Sequence, residues 1–254
     1  MKKKILALAI AAIMVVTALA SVSLAYLMDT DYDENVMVVG NVKIEQIEQQ
    51  RAEDGSLESF ENDKKLLPAT SAPAWTDKIT VAGKEHDAFG PEFNPVDKIV
   101  TVKNTGSEAA YVRTLIAFEN NANGLGDLIH INTNSDAENS GDWHYEYVGD
   151  ITISGKAYQL AVFTYYYILE AGKETEASLL QVFLDRTADN EDMAAAELTD
   201  GYDILVLSQA VQSAGWQTVD GSVVKTAEFA LDTAFGDVTA ANADTWFSAN
   251  LPQN

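Results

Sequence analysis

Two runs of β-forming residues flank Asn104-Thr105-Gly106-Ser107, and they constrain this chain more than any other feature. Lys98-Ile99-Val100-Thr101-Val102-Lys103 has the composition of a strand. Ala110-Tyr111-Val112-Arg113-Thr114-Leu115-Ile116-Ala117-Phe118 is rich in β-branched and aromatic residues, which a pleated surface favours over a helix. The four residues between them suit a tight turn. The whole reads as the strongest hairpin in the chain.

Further strand signals fall at 42–44, 78–82, 128–132, 143–148, 151–153, 158–169, 176–185 and 204–211. Gly149-Asp150 and Ser154-Gly155-Lys156 read as tight turns between strands. Two short helices are expected. One covers 189–198 behind Asp189; the other covers 226–235 with Gly236 at its C′ position. A tail at 243–251 brings Trp246 and Phe247 for burial. No βαβ alternation is present. The pattern predicts an all-β fold, an antiparallel β-sandwich of jelly-roll type with short helical insertions.

Composition removes several function classes. The chain has 254 residues, 47% of them hydrophobic, and 23 aromatics that need burial, so disorder throughout is excluded. Sixteen Lys and Arg against 39 Asp and Glu give a net charge of -23. That balance disfavours nucleic acid and anionic lipid, whose affinity comes from basic residues. With no Cys, disulfides, thiol catalysis, Cys-ligated zinc and Fe–S clusters are out.

Catalytic motifs are also missing. His86, His130 and His144 are scattered, and none belongs to H-E-x-x-H, so a shared zinc site is the lesser reading. Asp29, Asp31 and Asp33 begin like a calcium loop. Glu34 then stands where Gly is needed, and Gly40 where Glu is needed, which leaves a solvated acidic leader. Asp185, Asp189, Glu191 and Asp192 suit a helix N-terminus. No nucleophile signature occurs. No cofactor and no catalytic residue is expected.

The first segment sets the compartment. Lys2, Lys3 and Lys4 precede an uncharged stretch over 5–27, as in a secretory signal. Ser23 and Ala25 supply the small −3 and −1 residues, so cleavage after Ala25 is expected. The alternative is an uncleaved anchor, for which the stretch is long enough. Cleavage leaves 13 basic residues against 39 acidic, a net charge of -26. The expected organisation is a signal peptide at 1–25 and a single jelly-roll-like domain at 26–254. Within it, 49–95 is an irregular loop region carrying Pro68, Pro73, Pro91 and Pro95. The product is expected in the extracellular matrix or at the cell surface, with no stable membrane insertion after cleavage.

Several stretches in order resemble the TasA/camelysin (CalY) family of secreted Gram-positive proteins. They are the Lys3-Lys4 leader, Ser23-Leu24-Ala25-Tyr26-Leu27-Met28-Asp29-Thr30-Asp31, and Val39-Gly40-Asn41-Val42-Lys43-Ile44. Val102-Lys103-Asn104-Thr105-Gly106-Ser107 and Ala110-Tyr111-Val112-Arg113 follow. Ser208-Gln209-Ala210-Val211-Gln212-Ser213-Ala214-Gly215-Trp216 and Leu231-Asp232-Thr233-Ala234-Phe235-Gly236 complete the match, while 49–95 departs from it. The resemblance implies release by a SipW-type signal peptidase. It implies a jelly-roll subunit of amyloid-like biofilm matrix fibres, joined head to tail by donor-strand exchange, with a matrix accessory or anchor protein as a further partner. The donor would be 26–39, with Tyr26, Leu27, Val36 and Val38 as pocket-filling side chains. An intramolecular first strand is the other reading of that segment. The camelysin label adds a cell-surface metalloprotease as an alternative, and a non-polymerising surface binding module is a third.

Overall fold

The computed structural model describes residues 36–39, 42–61, 64, 66–70, 72, 74–120, 128–135, 141–188 and 202–250. Among these, ten strands form two five-stranded sheets and two more form a hairpin. The first sheet runs β1 (Val36–Val39), β12 (Ile204–Gln212), β7 (Ala110–Glu119), β10 (Lys156–Tyr165), β9 (Trp143–Ile153) in spatial order. The second runs β3 (Leu57–Ser59), β2 (Ile44–Arg51), β6 (Val96–Asn104), β11 (Leu179–Leu184), β8 (Ile129–Thr133). The hairpin is β4 (Trp75–Val81) with β5 (Lys84–Phe89). Two helices follow, α1 (Val223–Phe235) and α2 (Ala240–Asn250). The all-β antiparallel sandwich expected from the sequence is the fold observed.

The sandwich closes on one apolar core between the sheets. Val112, Ile116, Phe163, Val206 and Ala210 come from the first sheet and meet Ile44, Val100, Val102, Leu179 and Val182 of the second. The outer face of the first sheet is covered as well. Trp246 and Phe247 of α2 pack on Leu115, Leu160 and Leu207, each buried ring being worth about 1.5–3 kcal/mol. Helix α1 lays Ala227, Ala230 and Leu231 on Tyr111 and Val211. It starts where the Ser222 side chain accepts from the Lys225 N–H, an N-cap, and ends at Gly236 as expected. Residues 243–250 of the expected 243–251 tail are thus part of a helix. The 189–198 helix lies outside the described residues.

The central expectation of a hairpin over 98–118 is overturned. β6 pairs with β2 and β11, whereas β7 pairs with β10 and β12, so the two runs lie in different sheets. Asn104-Thr105-Gly106-Ser107 is a corner between layers. The Thr105 and Gly106 N–H groups both donate to the Lys43 carbonyl, at 2.8 and 3.0 Å. Asn104 Nδ2 donates to the carbonyls of Glu108 and Leu169. Strand β7 is buried at every position, which requires cover on both faces and a strand on each side.

Three smaller corrections follow the same logic. Gly149-Asp150 is no turn: β9 runs through it with a bulge opposite Leu160/Ala161, and Gly149 takes φ 128° there. The start of the irregular loop region expected at 49–95 contains the end of β2 and all of β3. The Pro-rich window holds the complete β4–β5 hairpin, turned through Ala82 and Gly83 at φ 49° and 85°. Ser154-Gly155 does turn the chain as expected, at φ 50° and 86°.

The β4–β5 hairpin forms a third layer on the second sheet. Ile79, Val81 and Ala88 bury against Ile99, Ala177 and Leu180. Gln181, fully buried, fastens it. Its Oε1 accepts from the Phe89 N–H and from Asn132 Nδ2; its Nε2 donates to the Phe89 carbonyl and to Asp97 Oδ1. Arg51 adds hydrogen bonds to Asp77 on β4 and Asp97 on β6. Gln181→Leu keeps the volume but strips four partners. Urea denaturation is expected to show a loss of about 2–4 kcal/mol, from buried groups left unsatisfied. A loss under 1 kcal/mol would show that the hairpin is held by its apolar face alone.

Candidate assembly edge

The lip of the first sheet carries Val36 and Val38, two of the residues singled out near the N-terminus. β1 pairs with β12 in parallel, the one parallel strand pair among the described strands, in register Val36–Ser208, Met37–Gln209, Val38–Ala210 and Val39–Val211. β1 is four residues long and, among the described strands, has a neighbour on one side only. An edge like this is a template for pairing, because backbone N–H and C=O groups there lack ladder partners.

Next to β1, the space between the sheets holds a polar cluster where a sandwich core is normally apolar. Ser208 Oγ donates to Gln46 Oε1 at 2.9 Å and lies 3.2 Å from Thr114 Oγ1. All three side chains are buried, and Gln46 reaches them from the opposite sheet. Gln46 Nε2 donates to Glu48 Oε1 at 2.9 Å. Glu48 in turn pairs with Lys98, whose ammonium sits 4.0 Å above the Phe60 ring. This chain of bonds ties β2 to β12 at the side of the sandwich where β1 docks. The expected register of β2 makes it legible afterwards: Gln46 has the same parity as inward-facing Ile44, and a polar residue there needs a partner.

At the start of β12 a second polar clasp holds the strand. Lys156 Nζ contacts Glu119 Oε2 at 2.9 Å and Asp203 Oδ2 at 2.7 Å. Burial works against the ammonium, but those hydrogen bonds push its pKa up to about 12. β12 is therefore anchored at its base by ion pairs and along its length by β7.

Of the residues expected to act in assembly, Val36 and Val38 occupy register positions opposite Ser208 and Ala210, two residues buried between the sheets. Tyr26, Leu27, Ser23 and Ala25 lie outside the described residues, as do Asp29, Asp31 and Asp33. The three histidines are placed apart. His86 Nε2 is 3.2 Å from Glu176, His130 Nε2 is 2.9 Å from Asp185, and His144 Nε2 is 3.7 Å from Glu228. Each carboxylate belongs to a different segment. Among the described residues no group of three or more metal-ligating side chains comes together, and no helix is long and apolar enough to cross a membrane.

No family model matches the chain, and no curated protein matches it.

Proposed function

We propose that this chain is a secreted structural subunit of extracellular matrix fibres, polymerising by donor-strand exchange. The observation that carries the reading is β1 itself, a four-residue parallel strand on the edge of the first sheet. Four paired residues hold it with a few ladder bonds, each worth about 0.5–1.5 kcal/mol net. A strand held so weakly is exchangeable for the same segment of a second copy, at nearly equal energy. Residues 26–35, freed by signal cleavage, would lengthen the ladder in the exchanged state. A contact of this kind is head to tail and does not close, so it propagates.

The jelly-roll type accords with the alternation of β6, β8 and β11 in one sheet with β7, β10 and β12 in the other. In this reading the partners are further copies of the chain, a SipW-type signal peptidase and a matrix accessory or anchor protein. The product belongs in the extracellular matrix.

Negative-stain microscopy of the mature chain tests the reading. Filaments are expected from 26–254 and monomers from a chain lacking 26–39. The net charge of -26 makes free subunits repel one another, so filament yield should rise with salt, divalent cations or mild acid. A mature chain that stays monomeric under every such condition would sink the proposal.

A further inference from the structure

Under the β4–β5 hairpin, one carboxylate oxygen holds both an amine and an amide. Asp142 Oδ2 accepts from Lys84 Nζ and, at 3.0 Å, from Asn134 Nδ2. The Asp142 side chain is 10% exposed. Lys84 opens β5, Asn134 directly follows β8 and Asp142 directly precedes β9, so three separate segments converge. Asn134 has little freedom to leave. Its backbone carbonyl accepts from the Trp143 N–H, and a Cβ on Gly141 would lie 2.6 Å from its Oδ1. Trp143, next in sequence to Asp142 and fully buried, packs on Tyr165 with the ring centroids 4.9 Å apart and the planes tilted by 49°.

We propose that Lys84 and Asn134 form an intramolecular amide cross-link, with Asp142 as the proton relay. The step is a transamidation and needs no oxidant. Asp142 takes a proton from the Lys84 ammonium, and the freed Nζ attacks Asn134 Cγ. The Nζ–Cγ bond forms and the Cγ–Nδ2 bond breaks. The first proton and a second one released from Nζ both pass through Asp142 to the departing nitrogen, which leaves as ammonium, and Asp142 ends unchanged. A carboxylate bonded to both nitrogens is where a general acid–base must stand for this exchange.

Geometry separates this group from a similar one. Glu48 also bridges a lysine and an amide, Lys98 and Gln46. There, the two donors sit on different oxygens, Lys98 on Oε2 and Gln46 on Oε1. At Asp142 both donors share a single oxygen. The ground state does resist the reaction. Burial disfavours the Asp142 charge, yet the hydrogen bonds from Lys84 and Asn134 hold its pKa below the ordinary carboxylate range. The bond is therefore expected to build up slowly after folding. In a chain with no Cys it would supply the covalent staple that disulfides supply elsewhere.

Intact-mass spectrometry of the mature protein, fresh and aged, is the test. The aged protein is expected to be lighter than its sequence by one ammonia, and a protease digest to contain one branched peptide joining the segments of Lys84 and Asn134. Lys84→Arg keeps the ion pair without a competent nucleophile, so it should keep the full mass and melt lower by about 10 °C, since it lacks a cross-link. Asn134→Ala should also keep the full mass. Native protein that stays at full mass overturns the proposal, and so does an ammonia loss that persists in Lys84→Arg.

Discussion

Replacing Arg113 by alanine is expected to cost about 3–5 kcal/mol of folding stability, the largest single-residue effect outside the apolar core. Arg113 is 2% exposed on the outer face of β7. Its Nε donates to Gln209 Oε1 at 2.6 Å, Nη1 to Asp232 Oδ1 at 2.5 Å and Nη2 to the Gly236 carbonyl at 3.1 Å. The guanidinium also lies 5.6 Å from the Trp246 ring centroid. One side chain thus joins the first sheet, the end of α1 and the face of α2. Burial pulls its pKa below the ordinary value, and Asp232 works against that pull. Alanine would strip the donors from Asp232, Gln209 and Gly236 together and open a void beside Trp246. A double replacement, Arg113→Met with Asp232→Leu, removes both charges and fills the space, so it should cost clearly less. Urea denaturation followed by tryptophan fluorescence measures both. A loss below 1 kcal/mol for Arg113→Ala would show that apolar packing alone fixes the helices.

The fold class was legible because β-forming runs and turn residues are local properties. β7, β10, β11 and β12 were each visible as runs of Val, Ile, Leu and aromatic residues. Pairing was not legible. Asn104-Thr105-Gly106-Ser107 has hairpin chemistry, and only tertiary contacts from Lys43, Leu169 and Lys173 make it a corner. The run from Tyr111 to Phe118, apolar except for Arg113 and Thr114, did carry a hint, since continuous burial marks a strand covered on both faces. Gly149 read as a turn because a bulge and a turn ask for the same backbone freedom. In the Pro-rich window the strand signal at 78–82 falls in β4, but β5 was hidden, although all four prolines flank the strands rather than interrupt them.

The candidate edge was half legible. Val36 and Val38 stood out as apolar residues behind an acidic leader, and they fall in β1. Gln46, Ser208 and Thr114 did not stand out, because three polar residues on three strands mean nothing until two sheets bring them within hydrogen-bonding distance. Gln181 and Arg113 escaped notice for the same reason, as single polar letters inside strand patterns.

The second large effect concerns β1, whose exchange between copies would convert monomers into filaments. The absence of Cys makes this directly measurable, because any cysteine introduced is the only one present. Val38 and Ala210 are register partners, and neighbouring strands bring such pairs within disulfide range. Val38→Cys and Ala210→Cys are made as two separate mature proteins, mixed under assembling conditions, oxidised and resolved on a non-reducing gel. Strand exchange should give a disulfide-linked heterodimer joining one variant of each kind, formed only in the mixture and only when filaments form. Filaments without that heterodimer, with cross-linking confined to a chain carrying both cysteines, would place β1 permanently on its own β12 and contradict donor-strand exchange.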